Sequence, residues 1–287
     1  MREKILELLS KRGDLPPFPE IALRLRMLLR DPDVKVANIA KLIELEPVLA
    51  GRILKLSNSV YYSRSSKPIT SLPLAITKLG FTLLFRMVFS LKLITLFSGS
   101  SVLDSHKFWR HSLAVAVFTQ ALSRRVKAPQ KEHEIAYLAG LMHDVGIMVF
   151  VHLVPDEYFD FLHGVGKVEQ PLEVQETNTF GIDHPELGAL FIEKWWNIEE
   201  QVSSGVRFHH FPFHGGTNER RCAQLVSISN GICNNQGITQ GINCYRELFS
   251  NSAWDELGLS IADAESILSD VKTSLEEAEE FLGQGKQ

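Results

Sequence analysis

Apolar residues recur every three or four positions along most of the chain, which is the spacing of one face of an α-helix. Between Leu79 and Phe97 the apolar residues at this spacing are Leu83, Leu84, Met87, Val88, Leu91 and Ile94. No stretch of useful length alternates apolar and polar residues, as a half-buried strand would. The pattern predicts an all-α fold in which residues 79–97 form one buried helix.

Prolines and one aspartate mark where several helices begin. Pro19 and Pro47 suit the first turn of a helix, because the amide hydrogen that proline lacks would have no partner there. Asp33 is expected to cap the apolar run that starts at Val36. A final acidic helix is expected from Ile261 to Phe281. Loops are predicted at three glycine-containing clusters, residues 98–100, 164–166 and 215–216.

Nothing in the sequence predicts a membrane span or a secretory signal. Residues 79–97 form the most apolar segment, but Arg86 and Lys92 lie near its middle, where charge opposes insertion into a bilayer. No basic segment followed by an apolar stretch opens the chain. The three cysteines lack the CxxC spacing of metal sites and fit a reducing compartment. We therefore expect a cytoplasmic protein without a membrane association.

Positive charge is concentrated in one part of the chain, although the net charge is only −4. Between Pro47 and Leu103 there is no Asp or Glu and there are seven basic residues, Arg52, Lys55, Arg64, Lys67, Lys78, Arg86 and Lys92. Such asymmetry can mark an anion-binding face. We favour the alternative that this segment packs against the acidic C-terminal helix or is simply solvated. No helix-turn-helix and no basic stripe interleaved with aromatic residues supports nucleic-acid binding, which is kept only as a weaker hypothesis.

The candidate chemistry starts with an imidazole and a carboxylate side by side, His143 and Asp144, in an apolar, helix-like run from Leu138 to Gly146. Neighbouring side chains on a helix point about 100° apart, so both could reach one ion from different directions. The pair alone is close to chance frequency in a chain with 10 histidines. A metal also needs three or more ligands, and the others must come from separate elements.

Four further histidines lie at or inside apolar helical patterns, where a buried group that can carry charge needs a partner. They are His111, His184, His209 and His210. The remaining histidines are expected to be ordinary packing or surface residues, namely His106, His133, His152, His163 and His214.

The order His, His-Asp, His-Pro, His-His resembles the HD superfamily of metal-dependent phosphohydrolases, and more closely its HD-related output domain branch, called HDOD. Upstream, the resemblance is carried by Leu15 to Pro19, Asn58 to Tyr62, Ile69 to Leu72 and Ala75 to Gly80. Downstream, it is carried by Gly140 to Gly146, His184 to Ala189 and Trp195. It covers most of the chain. It implies a multi-helical HD-type core preceded by an N-terminal helical subdomain.

Carried onto this sequence, the resemblance implies a domain plan and a metal site. The plan is a helical subdomain at residues 1–104, a metal-binding core at 105–240 and a helical extension at 241–287. One ion would be held by His111, His143 and Asp144, and a second by Asp144, His184, His209 and His210, with Asp144 bridging. Imidazole and carboxylate ligands suit iron, manganese, zinc or nickel better than magnesium or calcium. We expect one or two such divalent ions.

Three departures from the active relatives weaken the case for catalysis. Asn230 stands where the family ends its ligand list with Asp, and an amide is a poorer ligand, so Asn230 is at most a weak one. Ile147 stands where relatives that cleave cyclic-di-GMP, the HD-GYP proteins, carry a Lys. Residues 211–216 contain no Gly-Tyr-Pro tripeptide.

Two classes of function follow from these observations. The first, which we favour, is a bacterial signal-transduction output module that binds a signalling protein partner or a small anionic ligand, with a metal site that is structural or weakly active. The alternative is a metal-dependent phosphohydrolase or phosphodiesterase that acts on a nucleotide or another phosphoester, with Asp144 as the bridging catalytic residue. Whether the protein is an enzyme is left open at this point.

Overall fold

The computed structural model describes residues 1–11, 15–59, 68–97, 102–196, 198–245, 252–260, 262–263, 265–268, 271–272 and 275–276, without the side chains of 217–219. Within these ranges the named elements are α-helices and one π-helix, with no strand. The all-α prediction is confirmed.

The helices are named here in chain order. They are α1 (Arg2–Ser10), α2 (Glu20–Leu29), α3 (Val36–Glu44), α4 (Pro47–Ser57), α5 (Leu72–Leu79), α6 (Phe81–Leu96), α7 (Ser105–Arg125), α8 (Gln130–Met142), α9 (Val145–Leu153), α10 (Pro155–Val165), α11 (Leu172–Phe180), α12 (His184–Phe191), the π-helix (Ile192–Trp196), α13 (Glu200–Arg207), α14 (Thr217–Asn235) and α15 (Ser252–Leu257).

The chain divides into two compact units. One unit combines Met1–Pro17 with Phe97–Thr273, and the other combines Phe18–Leu96 with Ser274–Gln287. The first contains α1 and α7–α15, and the second contains α2–α6. The three-part division at residues 104 and 240 stays a prediction, because the units do not test which segments fold independently.

The α2–α6 unit corrects two sequence predictions. The apolar run at 79–97 is interrupted, because Gly80 has a φ of 80° and ends α5 before α6 begins at Phe81. The two helices are bent by 105° at this break. Lys35, not Asp33, is the residue that precedes α3, and no side chain caps that helix. Pro47 opens α4 as predicted.

The predicted loops and the C-terminal helix have mixed outcomes. Residues 98–100 lie outside the described ranges, and 215–216 lie between α13 and α14 as predicted. Gly164 and Val165 belong to the end of α10 instead of a loop. Most of the acidic helix expected from Ile261 to Phe281 also lies outside the described ranges.

Within the α7–α15 unit, glycines allow helices to approach each other closely around the candidate site. A Cβ atom on Gly140 of α8 would lie 2.8 Å from the Ala116 Cα of α7. A Cβ atom on Gly146 of α9 would overlap the backbone carbonyl of His184 in α12. These two contacts bring the segment between α8 and α9 against both α7 and α12.

Among the described residues no single helix is both long and apolar enough to cross a membrane, although two bent helix pairs satisfy that test of length and composition together.

Candidate metal centre

Six side chains that the sequence singled out converge in the α7–α15 unit. His111 comes from the middle of α7, His184 is the first residue of α12, and the others lie at helix ends. Five of them are at most 2% exposed, namely His111, His143, Asp144, His184 and His209. The sixth, His210, is half-buried, with 27% of its side chain exposed.

The local structure at two of these positions differs from the sequence prediction. His143 and Asp144 do not lie inside one helix; they form the junction between α8, which ends at Met142, and α9, which begins at Val145. The two helices are bent by 41° at this junction, and the His143 Nε2 lies 3.2 Å from the Asp144 Oδ2. His209 and His210 follow α13, which ends at Arg207, and so lie in the turn beyond it.

His184 is held at the first turn of α12 by local sequence signals. Asp183 caps the helix, because its Oδ1 accepts the backbone N–H of Glu186 at 2.8 Å. Pro185 follows in the first turn, where its ring is tolerated. The His-Pro dipeptide thus fixes where α12 begins and where the imidazole stands.

The potential ligand atoms form two groups. One consists of His111, His143 and Asp144, and the other of His184, His209 and His210, with the ligand atoms of each group within 4.8 Å of one another. These are the two sets that the family resemblance implies, except that Asp144 was also assigned to the second set. The role of Asn230 as a weak ligand stays a prediction.

Asp144 stands between the two groups with one oxygen toward each. Its Oδ2 lies 3.2 Å from the Nε2 of His143 and 3.7 Å from that of His111. Its Oδ1 lies 3.3 Å from the Nε2 of His184 and 3.7 Å from that of His209. This arrangement suits a carboxylate that bridges two ions.

Hydrogen bonds at Nδ1 determine which nitrogen of each ring can bind metal. His111, His143 and His209 each contact a backbone carbonyl oxygen through Nδ1, at 2.7, 2.8 and 2.7 Å. A carbonyl oxygen only accepts, so Nδ1 carries the hydrogen in each ring. In the neutral ring Nε2 then has the lone pair, which is the state that a metal needs.

Two contacts at Nε2 test whether the residues fit a cation. The Nε2 atoms of His111 and His143 lie 3.2 Å apart, and two lone pairs at that distance repel unless positive charge lies between them. Among the described residues, the buried Nε2 of His209 has no hydrogen-bond partner, which costs about 1–3 kcal/mol if it is left unpaired. A divalent transition ion at each group would satisfy these atoms, so the residues fit the metal that the family implies.

Glu176 of α11 supports the site and was missed in the sequence analysis. Its Oε2 accepts the backbone N–H of His184 at 2.7 Å and the Nδ1–H at 2.6 Å. Its Oε1 accepts the hydroxyl of Tyr158 at 2.6 Å. All three side chains are at most 1% exposed. A signal was present, because Glu176 stands at helical spacing between Leu172 and Phe180, where an apolar residue would be expected.

The charges of the site are strongly coupled. Burial opposes ionisation of Asp144, but His143 and His184 outweigh it and hold the pKa of this carboxyl well below its usual range. Burial also opposes protonation of His184, but Glu176 and Asp144 outweigh it and raise the pKa of this imidazole. The pKa values of His209 and His210 are lowered, mainly by burial.

A cavity of about 310 Å³ adjoins the second ligand group. Among the described residues that line it there is no Lys or Arg, whereas Glu173 lies in the wall 3.8 Å from the Nε2 of His210. Burial raises the pKa of Glu173 to about 7. Asn230 also lines the cavity, and its Oδ1 accepts a hydrogen bond from Asn234 at 2.8 Å. Ile147 is fully buried and supplies no cation.

Comparison with known proteins gives a family match and several similar folds. A family model described as HDOD domain matches residues 15–212. A crystal structure of an HDOD domain protein with unknown function from Geobacter sulfurreducens has a TM-score of 0.79 and 25% identity, covering 98% of this chain and 96% of that one. A structure from Marinobacter aquaeolei VT8, whose name provisionally assigns it to signal transduction, has a TM-score of 0.76 and 21% identity, covering 99% and 65%.

Two further relatives are more distant in fold or differ in length. A structure from Shewanella amazonensis SB2B, whose name provisionally makes it a phosphohydrolase, has a TM-score of 0.73 and 18% identity, covering 98% of this chain and 97% of that one. An uncharacterized protein from Treponema pallidum (strain Nichols) is 25% identical over 220 residues, which are 76% of this chain and 42% of that protein. The chain therefore spans less than half the length of this relative.

Proposed function

The chain belongs to the HDOD domain family, and from that premise we propose that it is a cytoplasmic bacterial signal-transduction output module with a retained metal centre that serves structure or regulation. One observation carries the proposal: a cluster of six potential ligand side chains adjoins a cavity without Lys or Arg among its described lining residues. Sites that transfer phosphoryl groups commonly aim such cations at the charge that develops in the transition state. In this cavity a phosphoester would instead lie beside the carboxyl group of Glu173.

In this proposal His111, His143 and Asp144 hold one ion, while His184, His209 and His210 hold the other together with Asp144. When bound, such ions supply Lewis-acid polarisation of a ligand oxygen. Backbone carbonyls orient His111, His143 and His209, and Glu176 orients His184. Metal would thereby tie α7, the α8–α9 junction, α12 and the turn after α13 into one unit.

The experiment that tests this proposal is an activity comparison between the native protein and Asn230→Asp. The substrates are bis(p-nitrophenyl) phosphate and a panel of nucleotides, assayed with manganese, iron, zinc or nickel. We expect no metal-dependent turnover by the native protein. Turnover that appears only in Asn230→Asp supports a centre that has lost catalysis. Native turnover that is abolished when His209 and His210 are both replaced by Ala would overturn the proposal.

The alternative function is a metal-dependent phosphohydrolase that acts on a nucleotide or another phosphoester. It is favoured by the position of Asp144, whose two oxygens face the two ligand groups as a bridging carboxylate would. Under this alternative Asn230→Asp increases an activity that the native protein already has. The same assay therefore separates the two functions.

The partner of the output module is proposed to be a signalling protein or a small anionic ligand. We propose neither a membrane nor a nucleic acid as a partner.

A further inference from the structure

Glu173 is a buried carboxylate in the first turn of α11, and it does not belong to the ligand set that the family resemblance implies. Its side chain is 8% exposed and lines the cavity beside the second ligand group. We propose that Glu173 is a further ligand of the ion assigned to His184, His209 and His210. This inference rests on the proposed function, because it requires a retained metal centre.

The distance between Glu173 and His210 suits two ligands of one ion. The Glu173 Oε2 lies 3.8 Å from the His210 Nε2, which is too long for a hydrogen bond. Ligand oxygen and nitrogen atoms lie about 2.0–2.2 Å from a transition ion, so two ligands of the same ion are at most about 4.4 Å apart. Asp144 lies at a similar distance, 3.7 Å, from the Nε2 of His209.

Glu173 lies at the edge of the second ligand group. The ligand atoms of the three histidines are within 4.8 Å of one another, and Glu173 is outside that set. Rotation about its side-chain bonds would bring the carboxylate to a shared ion without a change in the backbone. The cavity beside Glu173 leaves room for this rotation.

Helix α11 directs two carboxylates at the cluster from one side. Glu173 and Glu176 are three residues apart and therefore lie on the same face of the helix. Glu176 is bonded to the Nδ1 of His184, so this face of α11 is turned toward the second ligand group. Among the described residues, His210 is the only basic side chain at ion-pair distance from Glu173. A buried carboxylate is costly without a cation, and a metal ion would offset that cost.

A carboxylate from Glu173 would limit what the second ion can do. Catalytic metal sites keep a position open for water or substrate, whereas structural sites are closed by protein ligands. With Asp144, the three histidines and Glu173, five protein side chains would surround this ion. Such a closed site is what a structural or regulatory centre requires.

The test compares the native protein with Glu173→Gln after loading with cobalt(II), whose visible absorption depends on the number and kind of its ligands. We expect a changed spectrum and a cobalt affinity at least about tenfold lower by competition with a fluorescent chelator, because loss of an outer hydrogen-bond partner alone costs about 10- to 100-fold. Glu169→Gln changes an exposed glutamate just before α11 and should match the native protein.

Two further measurements separate a ligand from a structural carboxylate. Metal-free Glu173→Gln should unfold at the same denaturant concentration as the metal-free native protein or at a higher one, because the substitution removes a buried charge. Glu173→Ala leaves space beside the ion, so added acetate should return its cobalt spectrum toward that of the native protein.

Native cobalt spectra and affinities in both Glu173 variants would overturn the inference, as would the same losses in Glu169→Gln. Reduced stability of metal-free Glu173→Gln with an unchanged cobalt spectrum would overturn it too, since that result assigns the carboxylate to packing. These outcomes leave the metal centre itself in place. A native protein that binds no cobalt would instead contradict the proposed function together with this inference.

Discussion

At the scale of single residues, the chemistry of the centre is set by what each imidazole does with its second nitrogen. His111, His143 and His209 donate Nδ1–H to backbone carbonyls, and His184 donates it to Glu176. Each ring is therefore fixed with Nε2 directed at its neighbours in the cluster. Such outer hydrogen bonds hold the orientation and raise the basicity of a ligand.

Glu176→Gln tests the outer carboxylate. A single amide oxygen cannot accept from His184 and from Tyr158 together, so one donor loses its partner. We expect metal affinity to fall about 10- to 100-fold, as measured by competition with a fluorescent chelator. Glu169→Gln changes an exposed glutamate and is the matched control. Equal affinities of the Glu176 variant and the control would mean that this carboxylate does not position His184.

The raised pKa of His184 gives a prediction about protons. Without metal this imidazole keeps its proton at neutral pH, whereas the lowered pKa of Asp144 leaves that group ionised. A metal ligand must be neutral imidazole, so binding has to expel the proton from His184. We expect net proton release at pH 7 and an affinity that decreases as the pH falls. Calorimetry in two buffers of different ionisation enthalpy measures the release, and identical heats in both buffers would contradict the prediction.

At the scale of helices, the site depends on a close crossing between α9 and α12. The Cβ that alanine would add at Gly146 overlaps the His184 carbonyl, and a Cβ on Gly188 would lie 2.9 Å from the Gly146 backbone nitrogen. Gly146 and Gly188 face each other and thus allow the first turn of α12 to lie beside the α8–α9 junction. Backbone atoms on both sides leave no side chain that could move aside.

Gly146→Ala is therefore expected to lower the free energy of unfolding by about 1–3 kcal/mol or more, the usual cost of overpacking. It should also reduce metal content, because His184 has to move. Gly164→Ala is the control, since nothing lies within 4 Å of the added Cβ and the position is helical. Alanine there should be neutral or stabilise by up to about 1 kcal/mol. Chemical denaturation measures the free energy of unfolding of both variants. Equal values for Gly146→Ala and Gly164→Ala would contradict the close crossing of α9 and α12.

Helices were predictable from the sequence where the signal is local, and their interruptions were not. Pro47 and the His-Pro pair at residue 184 marked real helix starts, because proline restricts its own backbone. The break at Gly80 and the junction at His143 were missed, since apolar spacing continues across both. Only packing against other helices decides that the chain must turn there.

At the scale of the whole molecule, the ligand set was predictable through family resemblance and its supporting residues were not. The order of the histidines along the chain led to all six side chains. The helical spacing marks Glu176 as a polar residue on an apolar face, but which ligand it supports depends on where α11 packs. The position of Glu173 depends on the same packing. The domain boundaries and the role of the basic segment between Pro47 and Leu103 stay predictions. Within that segment Lys92 pairs with Glu46 at 2.7 Å.

The charge distribution gives a prediction for the intact chain. We expect no binding to DNA or RNA oligonucleotides at physiological salt, because the net charge is −4 and no nucleic-acid motif is present. Fluorescence anisotropy over a salt series measures this. Affinity that rises steeply as salt is lowered, and falls when Arg52 and Lys55 are replaced by Ala, would instead assign the basic segment to nucleic acid.

Elemental analysis of protein purified without an affinity tag tests the central claim most directly. The account predicts about one to two ions of iron, manganese, zinc or nickel per chain, and loss of metal when His209 and His210 are both replaced by Ala. His163→Ala, an exposed histidine outside the cluster, should retain the native content. Absence of metal in the native protein, or equal metal in the native protein and the His209 and His210 variant, would contradict the account.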